Sequence, residues 1–287
     1  MPEDQRSRPT LPGISVGEAW HLASQRIGRL DARLLVEHVA RCTHADLIAA
    51  PSRVLTPEQV EQLRELVLSR ANGWPVAYLV GETGFYGSQF VVTPAVLVPR
   101  PETELLVERA LAATRGVVGP RIVDLGTGCG AIAVTLARLR PEAQLTAVDL
   151  SPTALAVARI NGERHGVALR LLEGDWYAPL AGERFDLIVA NPPYVASDDP
   201  HLQGDGVRWE PRMALTDGVA GGNGLASLRR IVGGAAAHLL PAGGLLIEHG
   251  YNQAAAVRSL LVEAGFVAVA SWRDLGGIER VSGGRLD

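Results

Sequence analysis

The chain has 287 residues and a formal net charge of −4. Hydrophobic residues make up 47% of it and charged residues 20%, which is typical of a globular protein with a buried core. This length favours two domains. Proteins that hold nucleic acid through its phosphates usually carry a basic surplus, so no direct nucleic-acid partner is expected.

The cysteine content and the N-terminus exclude further classes. Cys42 and Cys129 are too few for a disulfide framework, and no Cys or His spacing resembles a zinc site, so no metal is predicted. The first ten residues are polar, unlike a signal peptide, and no apolar run reaches the ~18 residues of a membrane span. We therefore expect a cytoplasmic protein without membrane association, and a monomer.

The first part of the chain has helical patterning. Residues 1–12 are predicted to be a disordered start, and residues 15–44 place apolar side chains near a 3.6-residue period. A second amphipathic stretch begins at Thr56, where a capping residue is followed by proline and then by Gln59. We predict that residues 1–73 form a small N-terminal helical bundle that binds the partner.

Residues 74–98 differ in character from the helical bundle. Glycines punctuate the segment, and residues 90–92 resemble a strand, which predicts a β-hairpin connector. A helix is then expected to open at Pro99-Arg100-Pro101, with Glu102 placed well for the positive end of the helix dipole.

From Arg121 onward, apolar strand candidates alternate with helical segments. This alternation predicts an α/β domain over residues 99–287, with a seven-stranded, mostly parallel sheet of the Rossmann-like type. Ligands of such sheets bind outside the carboxyl ends of the strands. The strand candidates are residues 121–125, 144–149, 168–172, 185–190, 244–249 and 266–272.

A glycine-rich loop follows the first of these strands. Gly126, Gly128 and Gly130 permit a tight turn against a cofactor, and Asp149, at the end of the next strand, can accept hydrogen bonds from ribose hydroxyls. The same loop satisfies the dinucleotide pattern, so a nicotinamide oxidoreductase remains open. Asp124 just before the loop favours a cofactor with an ammonium and a sulfonium over a pyrophosphate.

Trp176 follows the third strand, within Gly174-Asp175-Trp176. Its indole could flank an adenine ring, with Asp175 near the exocyclic amine. The structural alternative is a tryptophan that covers the edge of the core.

Asn191-Pro192-Pro193-Tyr194 ends the strand at residues 185–190. The two prolines fix the backbone, so the carbonyls of Asn191 and Pro192 become rigid acceptors. The Asn191 side-chain oxygen and the Pro192 carbonyl can accept both N–H bonds of a planar NH2 group. Tyr194 would pack on that group. The segment therefore predicts methylation of an amide or amine nitrogen, although Asn-Pro is also common turn chemistry.

With these motifs the chain resembles the HemK/PrmC family, the N5-glutamine methyltransferases of class I peptide chain release factors. The resemblance runs from about Asp31 to the C-terminus. It is carried by residues 31–35, 75–81, 98–104, 124–130, 174–176, 191–194, 210–211, 248–250, 274, 276 and 280–281.

The resemblance implies a class I methyltransferase fold, S-adenosylmethionine as cofactor, and a release factor as substrate. It implies that residues 191–194 grip the glutamine of a Gly-Gly-Gln motif, and that Arg100 and Glu102 contribute to substrate binding. The implied cofactor-binding residues are Gly126, Thr127, Gly128, Cys129, Gly130, Asp149, Trp176 and Asn191.

Other functions remain open from the sequence. The Asn-Pro-Pro-Tyr motif also occurs in adenine-N6 methyltransferases of DNA or RNA, and a non-catalytic adaptor with a vestigial cofactor fold is a further alternative. The loop from Val195 to Asn223 is long, polar and rich in glycine. Such loops are often binding elements or lids, and plain disorder is the alternative.

Overall fold

The computed structural model describes residues 13–287, so the expectation for residues 1–12 lies outside the described part. The chain divides into two compact units, of which the first ends at Val80 and the second spans Gly81–Asp287. The short helix Val76–Val80 packs against helices of the first unit. The domain limits at residues 73 and 98 stay a prediction.

The N-terminal unit is helical. Its helices are α1 (Val16–Ile27), α2 (Arg29–Ala40), α3 (His44–Ala49), α4 (Pro57–Ala71) and α5 (Val76–Val80). Ser15, Thr43 and Thr56 each cap a helix and form a capping box, because their side chains accept a backbone N–H that the helix leaves unpaired. The apolar faces of α1, α2 and α4 enclose a core that includes Leu35 and Val36. The predicted helical bundle is confirmed.

The second unit begins with the predicted hairpin, formed by β1 (Glu82–Phe85) and β2 (Ser88–Val91). Asn161 attaches it to the rest of the unit. Its side-chain oxygen accepts from the Val91 N–H at 2.7 Å, and its nitrogen donates to the Val91 carbonyl at 2.9 Å. Because Asn161 is fully buried, these bonds satisfy polar atoms that water does not reach.

The core of this unit is a seven-stranded sheet, which confirms the predicted fold class. Its strands are β3 (Arg121–Leu125), β4 (Gln144–Asp149), β5 (Arg170–Glu173), β6 (Phe185–Ala190), β7 (Leu239–Glu248), β8 (Val267–Arg273) and β9 (Glu279–Arg285). The spatial order is β5-β4-β3-β6-β7-β9-β8, and β9 alone runs antiparallel to its neighbours. The strand order reverses between β3 and β6, where ligands of open α/β sheets bind.

Helices complete the unit. They are α6 (Glu104–Ala113), α7 (Ala131–Leu139), α8 (Pro152–Arg164), α9 (Arg212–Leu215), α10 (Ala226–Ala235) and α11 (Ala254–Glu263). Pro101–Thr103 forms a 3-10 turn that leads into α6. Central strands β3 and β6 are almost continuously buried, as expected for strands covered on both faces.

Two strands differ from the sequence prediction. β9 was not among the strand candidates, because its segment contains Gly283 and Gly284, which have low strand propensity. β7 begins at Leu239, earlier than the predicted start at residue 244. Its first half was not predicted because it includes Pro241, Gly243 and Gly244, which are unusual inside strands.

The segment from Val195 to Asn223 is ordered into short elements. It contains 3-10 turns at Pro200–Gln203 and Val207–Trp209, followed by α9. Glu210 is buried and anchors the segment, so plain disorder does not describe it. No helix within residues 13–287 has the length and apolar character needed to cross a bilayer.

Candidate active site

The glycine-rich loop joins β3 to α7 at the reversal in strand order. Gly126 has a φ of 74°, and a Cβ at this position would lie 3.3 Å from the Trp176 ring. Gly130 has a φ of 81°, and its Cβ would lie 3.1 Å from that of Ala158. Both positions require glycine, because a side chain would face a strained backbone and a close neighbour at once.

Asp149 holds the loop from the end of β4. Its Oδ2 accepts the Gly128 N–H at 2.8 Å and its Oδ1 accepts the Ser151 N–H at 2.9 Å. Burial raises the pKa of Asp149 above its ordinary value, and these backbone donors partly offset that effect. A carboxylate oxygen has more than one acceptor site, so both oxygens can still accept a bond from a ligand.

Asp124 lies directly before the loop and is fully buried. Its Oδ2 accepts a 2.7 Å bond from the Thr127 hydroxyl, while its Oδ1 has no hydrogen-bond partner within residues 13–287. Burial raises the pKa of this carboxyl to about 7. A nearby cation would favour the charged form, which agrees with the preference inferred from the sequence.

A first cavity opens beside this loop. Trp176 forms one wall with its ring against Gly126, and it has a φ of 51°, a conformation uncommon for a bulky residue. Every predicted cofactor-binding residue except Gly130 lines the cavity. Its lining is Leu97, Pro99, Thr103, Gly126, Thr127, Gly128, Cys129, Ala131, Ile132, Asp149, Leu150, Ser151, Ala154, Gly174, Asp175, Trp176, Asn191, Pro193, Met213 and Ala214.

Cys129 and Asp175 line this cavity, but neither is a free reactive group. Burial raises the pKa of the Cys129 thiol to about 12, so it is not a thiolate near neutral pH. The Cys129 carbonyl accepts a 2.8 Å bond from Asn161, which ties the loop to α8. Asp175 lines the cavity but is paired with Arg230 at 2.5 Å.

A second cavity lies at the same edge of the sheet. Asn191 lines both cavities, as do Leu97 and Ala214. Pro192 and Tyr194 line the second one, together with Arg100 and Glu102, whereas Pro193 lines the first. The tetrapeptide that ends β6 therefore lies where the two cavities meet.

The polar groups of the tetrapeptide are held by neighbours distant in sequence. The Asn191 Nδ2 donates to Thr103 Oγ1 at 3.1 Å, and the Tyr194 hydroxyl donates to Glu248 Oε1 at 3.1 Å. The Gln253 Nε2 donates to the Tyr194 carbonyl at 3.0 Å. Burial strongly raises the pKa of Tyr194, so its hydroxyl keeps its proton. These bonds immobilise the segment.

Arg100 is paired with Glu210, which also accepts the Val98 N–H at 3.1 Å. Glu210 is almost completely buried, whereas part of the Arg100 side chain reaches the second cavity. The ion pair thus joins the proline-flanked segment to the loop at residues 195–223.

The sequence assigned no role to Thr103, Glu248 or Gln253, although all three contact the tetrapeptide. Glu248 ends β7 at the edge of the sheet that also presents Asp149 and Asn191. An acid at the end of an apolar strand was the available signal. Thr103 lies in the segment 98–104 that carries the family resemblance, but neither it nor Gln253 showed its contact with the tetrapeptide, because these contacts depend on tertiary structure.

Two family models match this chain, one in the helical N-terminal part and one in the part that contains the cavities. Residues 21–81 match the family model described as the PrmC N-terminal domain, and residues 101–203 match that of the methyltransferase small domain. A methyltransferase from Pyrococcus furiosus has 17% identity and a TM-score of 0.53, covering 77% of this chain and 96% of that one. At this identity the likeness supports the fold alone.

Curated relatives are much more similar. The release factor glutamine methyltransferase of Bordetella pertussis is 51% identical, over 92% of this chain and 97% of that protein. The Escherichia coli protein of the same name is 43% identical, over 90% of this chain and 92% of that protein. With such identity along nearly the whole length of both partners, this chain belongs to the family of release factor glutamine methyltransferases.

Proposed function

We propose that this protein transfers a methyl group from S-adenosylmethionine to the side-chain amide nitrogen of the glutamine in the Gly-Gly-Gln motif of class I peptide chain release factors. One observation carries the proposal for the site: Asn191 lines both cavities, so its side chain lies where a methyl donor in one would meet an amide in the other. Membership in the family supplies the substrate.

The residues of the first cavity fit S-adenosylmethionine. Asp149 offers carboxylate oxygens to ribose hydroxyls, and the Trp176 indole offers a flat apolar wall to an aromatic base. Asp124 is fully buried directly before the loop and does not line this cavity, but the positive charge of a bound cofactor would favour its charged form through space.

The second cavity receives the glutamine side chain. We infer that Asn191 Oδ1 and the Pro192 carbonyl accept the two N–H bonds of its amide, and that Tyr194 packs on the amide plane. The pyrrolidine rings of Pro192 and Pro193 fix the backbone φ, which holds the Pro192 carbonyl in place. Arg100 and Glu102 line the same cavity and are proposed to contact the peptide around the glutamine.

The chemistry needs positioning more than a strong base. When bound, S-adenosylmethionine supplies an electrophilic methyl group on sulfur. An amide nitrogen is a weak nucleophile, since its lone pair is delocalised into the carbonyl. Two rigid acceptors favour the pyramidal nitrogen with growing positive charge, and alignment with the methyl group removes much of the entropic cost. The nitrogen proton becomes acidic once the N–C bond has formed and then leaves to water.

The partner and setting follow from this substrate. We propose that the helical N-terminal unit contributes to binding the release factor, and that the protein acts as a monomer in the cytoplasm, where translation termination takes place. Acidic residues of the loop at 195–223, among them Asp198 and Asp199, could attract a basic partner segment by long-range electrostatics.

The test is methyl transfer in a purified system. The protein is incubated with S-adenosylmethionine and a class I release factor, and peptides are analysed by mass spectrometry. We expect one methyl group on the glutamine of the Gly-Gly-Gln motif and none on a release factor in which glutamate replaces that glutamine. Cofactor binding without transfer to the glutamine would reject the proposal. Methylation of adenine in duplex DNA would favour the alternative function.

A further inference from the structure

The orientation of the Asn191 amide is set by a hydroxyl group. Asn191 Nδ2 donates to Thr103 Oγ1 at 3.1 Å, across a sequence separation of 88 residues. Thr103 is the last residue of the 3-10 turn before α6, and its side chain is buried. Since oxygen and nitrogen of an amide have similar shapes, the neighbours decide which of them faces the substrate.

Counting protons shows why this hydroxyl can act as an acceptor. A threonine hydroxyl has one proton and two lone pairs, so accepting from Asn191 leaves the proton of Thr103 to be donated elsewhere. The acceptor that we infer for it is the carboxyl group of Glu248. The Thr103 hydroxyl lies close enough to this group to offset part of the rise in pKa that burial causes.

Glu248 is suited to accept a hydrogen bond from the Thr103 hydroxyl. The residue is 1% exposed, and its Oε1 accepts from the Tyr194 hydroxyl at 3.1 Å. The other oxygen, Oε2, is buried and has no partner of good hydrogen-bond geometry among the described residues. A buried acceptor left without a donor is costly, which favours a turn of the Thr103 hydroxyl toward it.

We propose that Thr103, next to the Glu248 carboxyl group, is a positioning residue that keeps the side-chain oxygen of Asn191 directed at the substrate amide. The inference rests on the proposed function and names a new part of the same site. Glu248 contacts Tyr194 directly and Asn191 through Thr103, so one buried acid orients both ends of the tetrapeptide.

The opposite orientation of Asn191 would oppose the reaction. Its NH2 group would then face the NH2 group of the glutamine, and two donors would meet. One of the two acceptors that favour the developing positive charge would also be lost. Loss of the orientation by Thr103 should therefore lower turnover by a larger factor than it weakens cofactor binding, although Thr103 also lines the first cavity.

The experiment compares Thr103→Val with Thr103→Ser. Valine has nearly the shape of threonine but no hydroxyl, whereas serine keeps the hydroxyl and loses only a methyl group. We measure kcat and KM for the release factor, the Kd for S-adenosylhomocysteine by calorimetry, and Tm. Thr103→Ala is a second variant without the hydroxyl, in case valine disturbs folding.

For Thr103→Val we expect kcat to fall by about 10- to 100-fold, the loss typical of a misdirected or unpaired polar group. Because Thr103 also lines the first cavity, the Kd of S-adenosylhomocysteine can change, but by a smaller factor than kcat, and Thr103→Ser should restore most of the turnover. Wild-type turnover in Thr103→Val or Thr103→Ala would overturn the inference, as would failure of Thr103→Ser to restore activity. Absence of turnover in the wild-type protein would instead reject the proposed function.

Discussion

Replacement of Gly126 by alanine separates the two reasons for a glycine at the cofactor loop. Gly126 has a φ of 74°, and the added Cβ would lie 3.3 Å and 3.7 Å from two atoms of the Trp176 ring. Gly166 is a matched control, because its φ is 65° and a Cβ there would meet nothing within 4 Å. Gly126→Ala thus adds strain and a displaced indole, whereas Gly166→Ala adds strain alone.

The expected magnitudes follow from these contacts. A left-handed alanine costs about 1–2 kcal/mol, and each kcal/mol lowers Tm by about 2–4 °C in a unit of this size. Both variants should therefore lose a similar few degrees of Tm. The 3.3 Å contact forces the Trp176 ring to shift, so only Gly126→Ala should weaken cofactor binding, by roughly tenfold for each 1.4 kcal/mol of lost ring contact.

The assay is calorimetric titration of both variants with S-adenosylhomocysteine, together with thermal unfolding. A Kd for Gly126→Ala within about twofold of the wild-type value would refute the role of Trp176 as a wall of the cofactor site. Equal weakening in Gly166→Ala would show that backbone strain, rather than the indole, changes the affinity.

Three further predictions concern single side chains. Asn191→Ala should lower kcat at least ~100-fold at unchanged Tm, since one of two acceptors is removed; near-normal turnover would contradict this. Asp149→Ala should weaken cofactor binding at least tenfold by calorimetry, because its oxygens hold the loop and face the ligand; unchanged affinity would exclude that role. Burial raises the pKa of Glu248 from 4.5 to about 7, so the wild-type protein should lose stability as pH rises between these values. In thermal unfolding, Glu248→Gln should show a smaller loss than the wild-type protein, because Asp124, whose pKa burial also raises to about 7, contributes to the loss in both; an equal loss in both would disprove the contribution of Glu248.

The parts of the fold that the sequence predicted are those controlled by local patterns. Apolar runs identified β3, β4 and β6, because strands buried on both faces need few polar residues. Thr56 and Gln59 marked the start of α4, and the structure has the capping box at that position.

β9 could not be predicted from such patterns. It lies between β7 and β8, and a Cβ at Gly283 would collide with the backbone carbonyl of Leu245. Close packing between strands requires glycine there, and glycine lowers the local strand propensity. The tertiary requirement therefore removes the local signal.

The candidate site also has a part that local sequence patterns predict and a part that they do not. The glycine loop, Asp149 and the tetrapeptide were predicted because each is a short motif at a strand end. The contacts that orient them join residues far apart in sequence: Thr103 with Asn191, Tyr194 with Glu248, and Arg100 with Glu210. Such contacts depend on the sheet order, so no local pattern contains them.

The most direct test of the account is a crystal structure of this protein with S-adenosylhomocysteine and a release factor. We predict that the glutamine amide nitrogen lies within hydrogen-bond distance of both Asn191 Oδ1 and the Pro192 carbonyl, with the cofactor sulfur facing it from the cavity beside Trp176. A glutamine side chain held elsewhere, or an Asn191 whose nitrogen faces the amide, would contradict it.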